Sequence, residues 1–427
     1  MNTRLERVRL GPVQLHGCTV VLRAPRFADY TAWRALRLRD RALIEPFWLS
    51  SPLAWEERHT AKAWVRECLE AATHARTGQR LATVIEIDGR FAGQVEIGGI
   101  DPWTRQAEMG IWMDAELARH GFGGLAAALL LDFGFDALGL ERIIAPVSTS
   151  NAAAARGAEQ VGYVREARMA LHFDVGGARA DHDLWAATRA DIPPKGFTER
   201  WIEHVLTRRS GPIAPKPLGA AEMPGAATIL RVEARYRAGQ VRRFVQRALP
   251  ARPLTLHLAG FPGVVLRTPR PGDAAAWRAA RRNADAPGSE SQTSARWREF
   301  ARHTAGVRAP HGLLLVIDVD GAYAGEARLF DHDIFDHNAR IHLWADPARA
   351  DEAVRAAALR ALLDHAFGRL GLRRVSTEIE SADTASAAVA ARAGLLKEGT
   401  MRDFRGPTGR RADHELWAIT GGSDHDA

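Results

Sequence analysis

The chain has only two cysteines, Cys18 and Cys68, in 427 residues. Neither stands in a CxxC or Cys/His ligand spacing, so neither a disulfide framework nor zinc is indicated. Long apolar runs are missing as well. LAAALLL stops at Asp132, far short of the ~20 residues that span a bilayer. The start, MNTRLERVRLGP, carries charge without an apolar segment and does not read as a signal peptide. The expectation is a cytoplasmic protein without membrane contact. An apolar share of 46% is ordinary for a globular protein. The length suggests two or three domains at about 100–200 residues each.

The net charge is +7, and much of it is local. Residues 231–247 hold Arg231, Arg235, Arg237, Arg242, Arg243 and Arg247 against Glu233. Such a patch can touch nucleic acid or acidic lipid. A solvated face on a linker is the reading preferred here, and nucleic acid is not an expected partner.

The chain repeats itself. DHDLWA at 181–186 returns as DHELWA at 413–418, a shift of 232. The same shift carries LGLERI (138–143) onto LGLRRV (370–375), Ile111-Trp112-Met113-Asp114 onto Leu343-Trp344-Ala345-Asp346, and Asp88-Gly89 onto Asp320-Gly321. Upstream, VVLRAPRFAD (20–29) matches VVLRTPRPGD (264–273) at a shift of 244, so the first copy holds twelve extra residues between about 35 and 87. The domain reading is therefore a first copy over 1–190, a linker over 191–255, a second copy over 256–421 and a frayed tail over 422–427.

Each copy reads alike. In the first, a strand at 19–23 leads to helices at 27–39 and 55–75. Strands at 81–87 and 91–98 flank an Asp-Gly turn, which is a hairpin signal. A strand at 106–113, a glycine turn, a helix at 123–137, a strand at 142–148, a helix at 152–161 and strands at 164–173 and 181–188 complete the copy. Mixed strands with helices on both sides make an α/β layer fold. In the linker, Pro193-Pro194 and GPIAPKPLG mark loop, alternation over 229–237 predicts a strand, and Val241, Phe244, Val245 and Ala248 share a helical face.

The glycine turn, HGFGGLAAAL at 120–129, follows a strand and opens a helix. The first N–H groups of a helix lack partners and its dipole adds partial positive charge, so the turn suits a pyrophosphate. The order strand, HGFGGLAAALLLDFGFDALGLERI, strand, Asn151 and a helix ending in VGY resembles the GNAT superfamily of N-acetyltransferases. The branch it most resembles is the ribosomal-protein acetyltransferases of the RimJ/RimL type. The resemblance covers about 20–188 well and 264–420 in degraded form. Against the pattern Gln/Arg-x-x-Gly-x-Gly/Ala, His120 takes the first place, Gly123 the centre and Leu125 the last.

The resemblance implies acetyl-CoA, or another acyl-CoA, as co-substrate. It implies that His120, Gly121, Phe122, Gly123, Gly124, Leu125 and Ala126 form the pyrophosphate site. The cofactor arm would pair with the strand around Ile111, Trp112 and Met113, and Asn151 would help hold it. Ala154 stands where the branch often has Ser near the sulfur. Acetyl transfer needs a neutral amine, so a carboxylate near the thioester is useful. Glu108, at a place where the family often has Glu, is the first candidate base, and Glu96 on the hairpin strand is the second. A strand backbone N–H would stabilise the oxyanion. Ser148 and Ser150 lie near Asn151 in sequence, but no general acid stands out. Trp33 and Trp277 recur and read as core, and His182 and His414 recur and read as structural.

The second copy departs at these places. Gly121-Phe122-Gly123-Gly124 becomes Ala353-Val354-Arg355-Ala356, preceded by Asp351 and Glu352. Glu96 becomes Arg328, Glu108 becomes Arg340 and Asn151 becomes Asp383, while Ser386 keeps the family's Ser. An Asp before the helix can cap the free N–H groups and repels a pyrophosphate. The second copy therefore reads as a fold kept without its cofactor, serving as partner, lid or recognition surface. DHDIFDH (331–337) reads as a polar loop and no metal is expected.

The expected function is an acyl-CoA-dependent N-acyltransferase with one working site. Its acceptor is a primary amine of a protein N-terminus or a small molecule, with Glu45, Trp48 and Glu57 near a cationic amine. The alternative is a non-catalytic acyl-CoA-binding scaffold, and a nucleic-acid adaptor is a third reading. The two copies could pair within one chain in place of a homo-oligomer.

Overall fold

The computed structural model describes residues 4–207, 213, 222–248, 253–284, 312–333, 336–406 and 409–421. The tail at 422–427, and Ile334 and Phe335 of the DHDIFDH run, lie outside the described residues. The chain divides into two compact units, Met1–Glu166 with Phe173–Gly239 and Ala167–His172 with Gln240–Ala427. It is a mixed α/β protein, as the sequence predicts. Among the described residues no helix is long and apolar enough to cross a membrane.

The first copy has strands β1 (Arg9–Leu15), β2 (Cys18–Arg23), β3 (Leu81–Ile87), β4 (Arg90–Asp101), β5 (Gln106–Met113), β6 (Arg142–Ser148), β7 (Val164–Val175) and β8 (Ala178–Thr188). They lie in the order β1-β2-β3-β4-β5-β6-β8-β7. Helices α1 (Tyr30–Arg39), α2 (Arg41–Ile44), α3 (Trp55–Arg58) and α4 (Ala61–Thr77) precede β3, α5 (Phe122–Asp136) and α6 (Ala152–Val161) flank β6, and α7 (Gly196–Leu206) follows β8. The turn between β3 and β4 holds Asp88 at φ 48 and Gly89 at φ 78. Two positive φ values suit the twist of a tight hairpin, which is why Asp-Gly is found there.

The packing follows the apolar spacing. Trp64, Cys68, Ala71 and Ala75 form one buried stripe of α4, and Thr60 caps that helix by accepting from the Ala63 N–H at 3.4 Å. Trp33, Trp55, Trp64, Val84, Phe91 and Trp112 make an aromatic cluster on one side of the sheet. Phe122, Leu125, Leu130 and Phe135 of α5 join the larger cluster that includes Val95, Ile97 and Met109.

The second copy has strands β9 (Thr255–His257), β10 (Val264–Arg267), β11 (Leu313–Val319), β12 (Ala322–Asp333), β13 (Asn338–Ala345), β14 (Arg374–Glu380), β15 (Leu396–Arg405) and β16 (Arg411–Thr420). Their order, β9-β10-β11-β12-β13-β14-β16-β15, repeats that of the first copy. Helices α9 (Asp273–Ala284), α10 (Glu352–Gly368) and α11 (Thr384–Arg392) occupy equivalent places, after α8 (Ala226–Ala248).

The copies share buried arginine pairs. Arg23 donates to both Asp29 oxygens at 2.8 Å and to Glu86 at 2.5 Å, and Arg267 donates to both Asp273 oxygens at 2.8 Å and to Asp318 at 2.6 Å. Arg142 pairs with Glu166 and Arg374 with Glu398, each almost fully buried.

Several elements differ from the sequence expectation. The strand expected over 229–237 is part of one helix, α8. Leu230, Val232, Ala234 and Tyr236 alternate, but Ile229, Val232 and Tyr236 also share one helical face, and the residues between them are mostly good helix formers. The helix expected at 55–75 is broken into α3 and α4, and Thr60 restarts it. Strand β1 and helix α7 have no counterpart in the sequence reading.

The Arg142–Glu166 pair gives a stability prediction. Glu166→Gln leaves a buried guanidinium without its carboxylate and should cost about 3–5 kcal/mol in chemical denaturation. A loss below 1 kcal/mol would show that the pair does not hold β6 to β7.

Candidate functional site

The site is set by a parting of strands. β5 and β6 pair in parallel at Gln106↔Arg142, Ala107↔Ile143 and Glu108↔Ile144, and the ladder ends there. Residues 109–113 of β5 keep their partners on β4 but have none on β6. Pro146 follows on β6, where a missing N–H costs no ladder bond to β5. An extended chain of amides can pair with the exposed β5 edge as a strand would.

The glycine turn stands at the end of that edge. Gly121 is the N-cap of α5 at φ 84, and it offers no side-chain cap to the helix. The first N–H groups of α5 therefore remain available to an anion. The sequence expectation of free donors from 121 to 126 is too wide: the Leu125 N–H already bonds the Gly121 carbonyl at 3.0 Å. The Phe122, Leu125 and Ala126 side chains are buried in the core. A Cβ on Gly123 would lie 2.9 Å from Met113 Sδ, so the turn sits against the end of β5.

Two of the glycines answer to packing. A Cβ on Gly124 would lie 2.0 Å from the Trp201 ring, and one on Gly121 would lie 2.8 Å from Val205. Trp201 Nε1 donates to the Gly121 carbonyl at 2.8 Å. Asp132 fixes α7 by accepting from the Phe197 and Thr198 N–H groups at 2.8 and 2.9 Å. Only Gly123 faces β5.

The candidate bases occupy different places. Glu96 lies opposite Gly110, just past the last β5–β6 rung, with its Cγ 3.7 Å from where a Gly110 side chain would begin. Arg80 holds it, with Nε donating at 3.0 Å. Glu108 is exposed and lies on the last paired rung, opposite Gly98 on β4 and Ile144 on β6. Asn151 caps α6, its Oδ1 accepting from the Ala154 N–H at 3.1 Å. Trp112 points its ring away from the open edge, and Nε1 donates to Gln94 at 2.9 Å. Ile111 is exposed and Met113 partly so; His120 is partly buried beside Phe122. Ser148 and Ser150 bond each other at 3.0 Å.

Residues not singled out from the sequence flank these strands on both faces, Tyr163 beside Met109 on the α5 side and Glu67 and Arg37 beside Gln94 and Trp112 on the other, where the expected Glu45 and Glu57 are already paired. Tyr163 is buried and its hydroxyl donates to Met109 Sδ at 3.4 Å. Burial raises its pKa, so the phenol stays protonated. The only sequence signal for it is the VGY ending. Glu67 accepts from Gln94 Nε2 at 2.6 Å, and burial raises its carboxyl pKa against the pull of that bond and of Arg37 and Arg80. Arg37, fully buried, lies between the Trp48 and Trp112 rings at 3.7 and 4.0 Å. Glu45 is taken by Arg41 at 2.5 Å, and Glu57 accepts from the Ala54 N–H at 3.0 Å.

The second copy repeats the parting of strands but not its contents. β13 and β14 pair at Asn338↔Arg374, Ala339↔Val375 and Arg340↔Ser376, and then stop. Arg340 crosses to Glu378 at 2.8 Å and to Asp331 at 3.0 Å. These carboxylates raise its pKa against the opposing effect of burial, the largest influence on it. At α10, Asp351 caps the helix by accepting from the Val354 N–H at 2.8 Å. Asp383 caps α11 through the Ser386 N–H at 3.0 Å, as Asn151 does in the first copy. His182 and His414 are held alike, each Nδ1 2.9 Å from the carbonyl two residues back. Among the described residues no group of three or more His, Cys, Asp or Glu is placed to hold a metal ion.

Comparison with known proteins adds a family. The acetyltransferase (GNAT) domain family matches residues 19–164 and again 264–396. Spermidine N(1)-acetyltransferase of Escherichia coli K12 is 27% identical over 141 residues, which is 33% of this chain and 72% of that protein. The structure of Mycobacterium smegmatis RimJ in complex with CoA-disulfide is 31% identical, covers 47% of this chain and 96% of its own, and has a TM-score of 0.45. A ribosomal-protein-S5-alanine acetyltransferase from Vibrio fischeri is 20% identical over 43% of this chain and 98% of its own, with a TM-score of 0.38.

Two measurements test this geometry. Gly124→Ala should cost about 1–3 kcal/mol by pushing the Trp201 ring away, and the Gly124→Ala/Trp201→Ala pair should cost less than the sum of the singles. Additive losses would mean that the ring does not define the turn. His59, whose Nδ1–H donates to the Trp55 carbonyl at 2.6 Å, has its pKa lowered to about 4 by burial. The unfolded chain takes up that proton near pH 6.5, so stability from neutral His59 is complete above that pH and is lost as pH falls towards about 4. The stability difference between wild type and His59→Gln should therefore shrink over that window. A difference independent of pH would overturn the assignment.

Proposed function

The chain belongs to the acetyltransferase (GNAT) domain family, and from that premise we propose that its first copy alone carries the working site, while the second has lost its cofactor. The enzyme is an acetyl-CoA-dependent N-acetyltransferase. The observation that carries the proposal is the contrast between Gly121, which leaves the α5 amides open, and Asp351, which closes those of α10.

The residues of the first copy fit a diphosphate and an amide-bearing arm. The uncapped N–H groups of α5 suit the former, and the β5 edge past Glu108 suits the latter. Acetyl-CoA supplies the activated acetyl group. Glu96 is the better-placed base for the acceptor ammonium, because it lies over Gly110 on the unpaired stretch, with Glu108 one rung behind. A backbone N–H of β5 on that stretch donates to the oxygen that gains charge. The Tyr163 hydroxyl, kept protonated by burial and bonded to Met109 on the unpaired stretch of β5, is the candidate to return a proton to the departing sulfur, a task for which Ala154 offers no group. The acceptor is a primary amine of a protein N-terminus or a small molecule; one relative's name specifies spermidine, and others' names specify ribosomal proteins.

In the second copy the Arg340–Glu378 pair crosses the slot that would take the arm, and Asp351 with Glu352 repels a diphosphate. Arg355 brings a cation to the same turn, but the cap removes the donors that would share the load.

Calorimetry and a coenzyme A release assay test this together. One acetyl-CoA should bind per chain, and Gly123→Asp should abolish binding. Glu96→Gln should lower kcat about a hundredfold or more, and Tyr163→Phe should lower kcat more than it raises KM for the amine. Two bound equivalents would overturn the silent second copy. Binding without turnover of any amine would favour the non-catalytic scaffold.

A further inference from the structure

Arg23, Arg142, Arg267 and Arg374 are buried, and each meets a carboxylate. Arg37 is as deeply buried, at 2% exposure, and is held differently. Its Nε and Nη1 have no hydrogen-bond partner among the described residues. Both faces of its guanidinium are covered, by Trp48 and by Trp112. Stacking on two indoles steadies a cation but leaves its in-plane N–H donors unused. A buried charge left this way is costly unless something else uses it.

Resting on the reading that the first copy is the working enzyme, we propose that Arg37 recognises the acceptor, and that the acetylated amine also carries a carboxylate or phosphate which the guanidinium binds. A planar guanidinium whose faces are blocked offers only its edge, and an edge suits a two-oxygen anion. The place is right for an acceptor. Trp112 lies on β5 opposite Gln94, and Glu96 lies opposite Gly110. Gln94 and Glu96 are two residues apart on one face of β4, a separation of about 7 Å. An amine at Glu96 and an anion at Arg37 thus belong to one small molecule or one short chain end. Trp48, partly exposed in the segment between α2 and α3, is the solvent-side wall of the stack, and its movement would open a way to the guanidinium edge. Burial lowers the Arg37 pKa to about 9, with Glu67 the main charge opposing that fall, so the cation gains from a further anion. A polyamine, cationic throughout, has nothing to offer this guanidinium.

The test uses the full chain and matched acceptors: glycylglycine against glycylglycinamide, phosphoethanolamine against ethanolamine, and spermidine. The anionic member of at least one pair should have a kcat/KM at least about tenfold higher, and the pair that shows it identifies carboxylate or phosphate as the natural group. Arg37→Met should bring that ratio to near one through KM, while acetyl-CoA binding stays and the melting temperature does not fall. Turnover without discrimination in wild type, or better turnover of spermidine, would overturn the proposal and leave the acetyltransferase reading intact. So would an Arg37→Met chain that melts lower and loses all acceptors equally, as a structural arginine would. A readout free of turnover is tryptophan fluorescence titrated with inorganic phosphate or acetate. A saturable change in wild type that is absent in Arg37→Met and altered in Trp48→Phe supports the site. No saturable change, or the same change in Arg37→Met, overturns it.

Discussion

Two parallel strands that part after three rungs are the constraint on which the first copy's site depends. Every buried peptide group needs a partner, so a strand that loses its neighbour needs either water, another chain or a side chain. The first copy leaves the β5 edge open, places a proline on the facing strand, and ends the edge at an uncapped helix. The second copy has the same parting of strands and bridges it with an arginine and a glutamate. The geometry belongs to the fold, and its use depends on a few side chains.

This is why the paired arginines and the site residues changed differently between the copies. Arg23 and Arg267 bind equivalent acids, and Arg142 and Arg374 do the same. Removing either partner would strand a charge in the core. No such penalty guards Glu108, Gly123 or Asn151, which are exposed or lie at helix starts, so their counterparts could become Arg340, Arg355 and Asp383 without unfolding the sheet.

Much of the fold was legible in the sequence. The constant offset of the repeat, the two Asp-Gly hairpins and the strand–glycine–helix order led to the right architecture because each is a local signal with a local cause. What was missed depends on distant contacts. The lack of side chains at Gly121 and Gly124 reads as room for a ligand, yet Val205 and Trp201, eighty residues on, occupy that room. Arg37 and Glu67 carry no sequence signal, because periodicity locates apolar stripes and is silent on a charge buried beside one. Strand β1 holds Gly11 and Pro12 inside it, and helix α7 follows Pro193-Pro194, so loop signals mask both.

The bond from the Trp201 indole to the Gly121 carbonyl reaches further than packing. That carbonyl and the Phe122 amide are two ends of one peptide group, and drawing electron density at the oxygen makes the N–H a better donor. The family match on this copy stops at residue 164, well before Trp201. A protein trimmed to the matched segment would keep every glycine of the turn and lose the group that aims and polarises its first amide. Any anion held at this turn would thus depend in part on a helix that the family signature does not include.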